Sequence, residues 1–331
     1  MTSPILRIPS VDPALEAAVT AELEEVEERL TEAVKSDDAL LASAARHLVA
    51  AGGKRFRPLL ALTAGHFGDA DAPGVVDSAV VVELTHVATL YHDDVMDEAA
   101  LRRGAPSANA LWGNTVAILT GDFLFARASD IAADLGTESV RIQARTFERL
   151  VQGQLRETLG PRDSEDPVAH YLGVLSDKTA SLIATSARLG ALHAGVGADD
   201  VDVLARFGEH IGMAFQLADD VLDIASDSAV LGKTSGTDLR AGVATLPVLY
   251  ARQSTDSADA RLRALLDGPL EDEAEHAEVL RLLRTHPAMA RAQAVVRRHA
   301  DDARAVLAAL PDLPARRALE ALCDSVVTRS A

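Results

Sequence analysis

Asp93-Asp94-Val95-Met96-Asp97 closes an apolar run and is followed at once by Leu101-Arg102-Arg103-Gly104. A second copy of the pattern, Asp219-Asp220-Val221-Leu222-Asp223, stands 126 residues later (219 − 93). A helix turns by about 100° per residue, so the first and fifth positions of each motif share a face. Carboxylates one turn apart repel and gain nothing structurally. The pairing makes sense around a hard divalent cation. An oxygen-only ligand set favours Mg²⁺, which keeps waters and phosphate oxygens in its shell, so the motifs imply a phosphorylated substrate. With 31 Asp in 331 residues, a shuffled chain would carry such a motif about 0.3 times. Two copies, each after an apolar helical segment, are hard to reach by chance.

Around the motifs the chain reads as helix throughout. Hydrophobic content is 48%, ample for a core, and aromatics are only 3%, while abundant Ala and Leu favour helix over strand. Asp12-Pro13 has the form of an N-cap and first helical residue and opens an amphipathic helix to about residue 35. A second helix covers 39–51, Gly52-Gly53 ends it, and Pro58 opens a third. A long helix runs from Pro73 to the first motif. Gly104 and Pro106 mark a loop. Further helices are expected over 114–133, 138–159, 171–192 and 199–225, then alternating helix and short loop to 328. Residues 226–242, rich in Gly, Ser, Thr and Asp, read as a mobile flap. No stretch alternates with period two, so no sheet is expected. The reading is one all-α domain over 1–331, a bundle with the two acidic segments facing each other across a central cavity.

Charge and composition exclude several classes. A formal charge of −18 argues against nucleic acid and anionic membrane as general partners. The single cysteine, Cys323, fits a reducing cytoplasm. No signal peptide is expected at residues 1–10. The most apolar segment, 75–90, is broken by Asp77, Glu83 and His86, which predicts a buried core helix and no membrane span.

The chain has 28 Arg but only four Lys: Lys35, Lys54, Lys178 and Lys233. The last three sit in Gly-Gly-Lys-Arg-Phe-Arg-Pro, Asp-Lys-Thr-Ala and Gly-Lys-Thr-Ser-Gly, where a compact ammonium suits a phosphate oxygen. Lys54, Arg55 and Arg57 crowd one helix break, a candidate anion pocket. His86 lies seven positions before Asp93 on the same face, where it could meet a phosphate.

These motifs together resemble those of the trans-polyprenyl (isoprenyl) diphosphate synthases over residues 52–247. The resemblance rests on Gly52-Gly53-Lys54-Arg55-Phe56-Arg57-Pro58, His86, the first aspartate motif with Arg102-Arg103-Gly104, Lys178-Thr179, Phe215-Gln216-Leu217-Ala218 with the second aspartate motif, and Gly232-Lys233 onward to Pro247. It implies an isoprenoid-synthase-type helical bundle around a deep cavity, as a homodimer, with a small partner subunit the other arrangement it allows. It implies two or three Mg²⁺ held by Asp93, Asp97 and Asp219, with Asp94, Asp220 and Asp223 completing the motifs. Arg102, Lys178 and Lys233 would hold the diphosphate of an allylic primer. Lys54, Arg57, His86 and Arg103 would bind isopentenyl diphosphate. Thr179 and Gln216, with Lys178, would face the allylic cation during catalysis.

Many members carry Lys where this chain has Val243, which removes one phosphate contact. Bulky aromatics just before the first motif close the cavity of short-chain members. Here those positions are Ala88 and Thr89, with Leu84 and Thr85 one turn deeper. This predicts a long product of about C30 to C50, with a geranylgeranyl (C20) synthase as the alternative. A non-catalytic subunit of a heteromeric synthase is the alternative of another class, which the intact aspartates and lysines oppose. A class I terpene cyclase would not need the Lys54, Arg57, His86 and Arg103 set.

Overall fold

The computed structural model describes residues 12–225, 235–268, 270 and 272–329. It is all-helical apart from one minimal hairpin. The chain packs as two compact units whose boundaries fall mostly inside helices. The first comprises residues to Arg149, Ser181–Gly208 and Val306–Ala321; the second comprises Leu150–Ala180, Glu209–Ala305 and Leu322 onward.

In the first unit, α1 (Pro13–Ala33) starts where the sequence predicts, with the Asp12 carboxylate accepting from the amides of Ala14 and Leu15 at 3.0 Å each. Its Leu15, Val19, Leu23, Val26 and Leu30 are all buried, as spacings of three and four require. After α2 (Ala39–Ala50) comes α3 (Phe56–Gly65), two residues earlier than Pro58 suggests. Helix α4 (Pro73–Met96) carries the first aspartate motif and is buried on nearly every side. It packs against α1, α3, α6 (Asn114–Asp134) and α9 (Ser181–His193). Among the described helices it alone is long and apolar enough to cross a membrane, and 72% of that window is buried inside the protein, as expected of a core helix. Its fully buried Tyr91 donates from its hydroxyl to the Ala44 carbonyl and accepts from the Leu48 amide, tying α4 to α2.

The expectation of no sheet needs a small correction. Leu101–Arg102 (β1) pairs antiparallel with Ala105–Pro106 (β2). Only Arg103 and Gly104 join them, with φ of 54° and 77°, the double positive-φ turn that two-residue hairpins favour. Two pairs of residues are too few for period-two patterning to reveal. A short helix, α5 (Ala108–Trp112), follows and was also not expected.

In the second unit, α7 (Thr137–Leu159) contributes its latter half. The expected helix over 171–192 is interrupted. Helix α8 (Pro167–Leu175) passes into a π-turn over Ser176–Ala180 before α9 begins. Helix α10 (Ala198–Ala225) carries the second aspartate motif. Residues 226–234 of the expected flap, Lys233 among them, lie outside the described residues. The rest of that segment is not a free loop: Thr237–Arg240 forms α11. Then come α12 (Leu246–Arg252), α13 (Ala260–Leu266), α14 (Glu273–Thr285), α15 (Pro287–Leu307) and α16 (Pro314–Arg329).

Candidate active site

The first unit assembles a cationic cluster beside its aspartates. Arg55 precedes α3 in the left-handed conformation, φ 49°, which is strained for a side chain with a Cβ. Its guanidinium is buried and saturated. Nη1 donates to Glu83 Oε1 at 2.7 Å, Nη2 donates to Glu27 Oε2 and the Val49 carbonyl at 3.0 Å each, and Nε donates to Glu27 Oε1. Burial alone would lower its pKa, and these partners more than reverse that. Arg55 is therefore not part of an open anion pocket, which corrects the grouping with Lys54 and Arg57. Sequence spacing could not show this, because both carboxylates stand 28 positions away.

Arg57, His86 and Arg103 converge next to that pair. Burial lowers the Arg57 pKa to about 10, with Glu83 opposing and Arg103 reinforcing. Arg57 Nε is buried with no hydrogen-bond partner among the described residues. Arg103, at the hairpin tip, donates from Nη1 to the Leu48 carbonyl at 2.7 Å and lies 3.9 Å from Glu83. A Cβ on Gly53 would come within 3.0 Å of its guanidinium, so the Gly52-Gly53 loop also packs here. Burial, then the charges of Arg57, Arg103, Arg55 and Arg102, hold the His86 pKa well below its ordinary value. Three guanidiniums face two carboxylates, and an arriving anion would relieve the excess. Lys54, one residue before Arg55, is exposed.

The three aspartates of the first motif divide their work. Asp93 is half-buried and Asp97 exposed on the shared face. Asp94 points inward with no exposed surface. Arg102 donates from Nε to Asp94 Oδ1 at 2.6 Å, and its Nη2 lies 2.6 Å from the same oxygen as an ion pair, so in this structure the Arg102 charge is shared with the motif. Asp94 Oδ2 is buried without a partner among the described residues. Burial raises the Asp94 pKa, and Arg102 opposes.

In the second unit the aspartates are held by Gln216 and by groups that sequence reading missed, Arg329, Tyr171 and Thr237–Asp238. Asp219 Oδ1 accepts from Arg329 at the end of α16 at 2.8 Å. A contact 110 positions away leaves no local signal in the sequence. Asp220 is buried and accepts from Tyr171 of α8 and from Gln216 Nε2, the latter at 3.0 Å. Burial pushes its pKa up to about 7 against both bonds. Asp223 accepts at both oxygens from α11: Oδ1 from the Thr237 amide (3.2 Å) and hydroxyl (2.7 Å), Oδ2 from the Asp238 amide (3.1 Å). The third aspartate of the second motif thus caps α11 in this structure.

Lys178 and Thr179 lie in the π-turn, a distortion that recurs at functional sites. Lys178 Nζ pairs with Glu157 of α7. Thr179 Oγ1 lies 3.5 Å from Gln216 Oε1, which links Thr179, Gln216, Asp220 and Tyr171 in one polar row. Gly153 of α7 makes room for the turn, since a Cβ there would sit 2.8 Å from the Lys178 amide nitrogen. Val243 is 42% exposed, in the position where a lysine would extend into solvent.

The donors fit a hard divalent cation. All are carboxylate oxygens, Asp93 and Asp97 are accessible on one face, and buried Asp94 Oδ2 still has unused acceptor capacity.

A helical fold with two aspartate motifs, the first of them beside a cationic cluster, is that of a prenyltransferase. Residues 38–283 match the model of the polyprenyl synthetase family, and the chain belongs to that family. It is an enzyme, a polyprenyl diphosphate synthase. It is 50% identical over 319 residues to nonaprenyl diphosphate synthase of Mycobacterium tuberculosis, covering 96% of this chain and 95% of that one. It is 40% identical to heptaprenyl diphosphate synthase component 2 of Geobacillus stearothermophilus, covering 93% and 96%. The fold matches a geranylgeranyl pyrophosphate synthase of Corynebacterium glutamicum, crystallised with calcium and isoprenyl diphosphate, at TM-score 0.88 and 47% identity, covering 97% and 99%.

Proposed function

We propose that this chain condenses isopentenyl diphosphate with an allylic diphosphate primer, in trans and head to tail, to give a polyprenyl diphosphate of about C30 to C50. The observation that carries this reading is the convergence of Arg57, His86 and Arg103 around Glu83, on and beside the helix that presents Asp93 and Asp97. That cluster binds and orients the isopentenyl diphosphate. Lys178, with Arg102 and Lys233, grips the primer diphosphate. Asp93 and Asp97 of the first motif, and Asp219 with Asp220 and Asp223 of the second, would hold Mg²⁺, whose charge would make diphosphate a competent leaving group. Thr179 and Gln216 turn oxygens toward the allylic carbon as positive charge develops there. The isopentenyl double bond attacks that carbon, and a proton leaves the adduct to the released diphosphate. Both motifs serve this one reaction.

A homodimer and a cytoplasmic setting complete the proposal. Along α7, Val151, Leu155 and Leu159 are exposed at spacings of four, and Leu111, Ile118 and Leu119 are exposed on α5 and α6. Such apolar surfaces mark association sites, and a second copy is the occupant proposed.

The test is a product-length assay. Purified protein, Mg²⁺ and labelled isopentenyl diphosphate are incubated separately with dimethylallyl, geranyl, farnesyl and geranylgeranyl diphosphate. A ladder reaching C30 or beyond is expected. A stop at C20 would overturn the long-chain assignment. Absence of product with every primer would overturn the self-sufficient enzyme and direct the search to a partner subunit.

A further inference from the structure

A second set of ligating side chains lies apart from the aspartate motifs. His210 is on α10, nine residues before Asp219, and is half-buried. His299 and Asp302 stand three apart on α15, so they share one face. One ligating atom from each of the three lies within 4.8 Å of the others. The two imidazoles are 6.1 Å apart between centroids and tilted by 41°. All three belong to the second unit.

His299 Nδ1 is buried and has no hydrogen-bond partner among the described residues, a situation that native structures avoid unless something else satisfies the atom. Burial, then the adjacent His210, pushes the His299 pKa down. The exposed Asp302 carboxylate adds the negative charge a cation would need.

We propose that His210, His299 and Asp302 form a binding site for one borderline transition cation of the zinc type, linking α10 to α15. Two imidazoles and one carboxylate suit Zn²⁺, Co²⁺ or Ni²⁺, whereas the oxygen-only aspartate motifs suit Mg²⁺. Bonds of about 2.0–2.1 Å require ligand atoms roughly 3.4 Å apart, so the three side chains close by rotamer adjustment of about an ångström around the ion. Water fills the remaining position. The site would brace the helix that carries Gln216, Asp219 and Asp220.

The experiment uses the full chain, stripped by chelator and then held in excess Mg²⁺ to fill the oxygen sites. Zn²⁺ is titrated by competition with a chromophoric chelator, and Co²⁺ binding is followed by visible absorption. One Zn²⁺ per chain is expected, with a raised thermal midpoint and a Co²⁺ spectrum of nitrogen and oxygen ligation. His210→Gln and Asp302→Asn, both at positions with solvent access, should each weaken Zn²⁺ at least tenfold and leave the metal-free midpoint unchanged. Failure to bind Zn²⁺ beyond the Mg²⁺ sites would overturn the proposal. So would Zn²⁺ binding that survives both substitutions but is lost in Asp93→Asn or Asp219→Asn.

Discussion

Arg55 Nη1 donates to Glu83 Oε1 at 2.7 Å, and the two side chains are 1% and 2% exposed. This ion pair joins the start of α3 to the middle of α4 and sets the floor on which Arg57, His86 and Arg103 stand. Glu83→Gln keeps the shape but leaves Arg55 with Glu27 alone and Arg103 without its nearest carboxylate. A loss of about 3 kcal/mol of stability is expected, read by urea unfolding. An unchanged midpoint would show that Glu27 alone neutralises Arg55.

His86 gives the protein an acid-sensitive stability. Its folded pKa is held well below the ordinary value. Below pH of about 6.5 the unfolded chain therefore binds a proton that the folded chain does not. Stability is full above that pH and falls as pH drops toward the folded value, by at most about 1.4 kcal/mol per pH unit from this group. His86→Gln should flatten that part of the curve, measured as unfolding free energy between pH 8 and 5. Identical slopes would mean that His86 is not held neutral.

Tyr171 positions Asp220. Tyr171→Phe removes a hydrogen bond to a buried carboxylate and leaves the ring in place. Outer-shell losses of this kind cost about tenfold or more in metal affinity. The Mg²⁺ concentration for half-maximal activity should rise by about that factor with an unchanged melting temperature. Loss of kcat at saturating Mg²⁺ alone would instead assign Tyr171 a role in the chemical step.

Gly153 allows α7 to approach the π-turn. In Gly153→Ala the new methyl would meet the Lys178 amide nitrogen at 2.8 Å and the Asp177 carbonyl carbon at 3.1 Å. Backbone atoms cannot swing away as a side-chain tip can. Alanine would favour the helix by about 1 kcal/mol, but displacement of Lys178 and Thr179 should dominate and cut kcat about a hundredfold. A more stable and fully active variant would show that the turn shifts without cost.

Product length should respond to Thr89 more cleanly than to Ala88. Ala88 has no exposed surface and lies in the core of the first unit. Thr89 is half-buried one turn before Asp93, on the face that carries His86. Thr89→Phe should shorten the product with the fold intact. Ala88→Phe should also shorten it, and overpacking should destabilise the protein by about 1–3 kcal/mol. Chain lengths resolved after dephosphorylation, beside melting curves, separate the two effects.

Helix positions, both aspartate motifs and the chemistry they imply were legible in the sequence, because each depends on residues within a turn or two of one another. A capping Asp12, a period near 3.6 and carboxylates four apart carry their meaning locally. The π-turn at Ser176–Ala180 was not legible, since the same residues read as continuous helix until Gly153 of another helix packs against them. The tertiary structure alone decided which charges are engaged. Arg55 is neutralised by Glu27 and Glu83, Asp223 caps α11, and Arg329 reaches Asp219 from the far end of the chain. The physical reason is that the state of a charge depends on its burial and on its partners in space, and neither is encoded in the spacing of its neighbours along the chain.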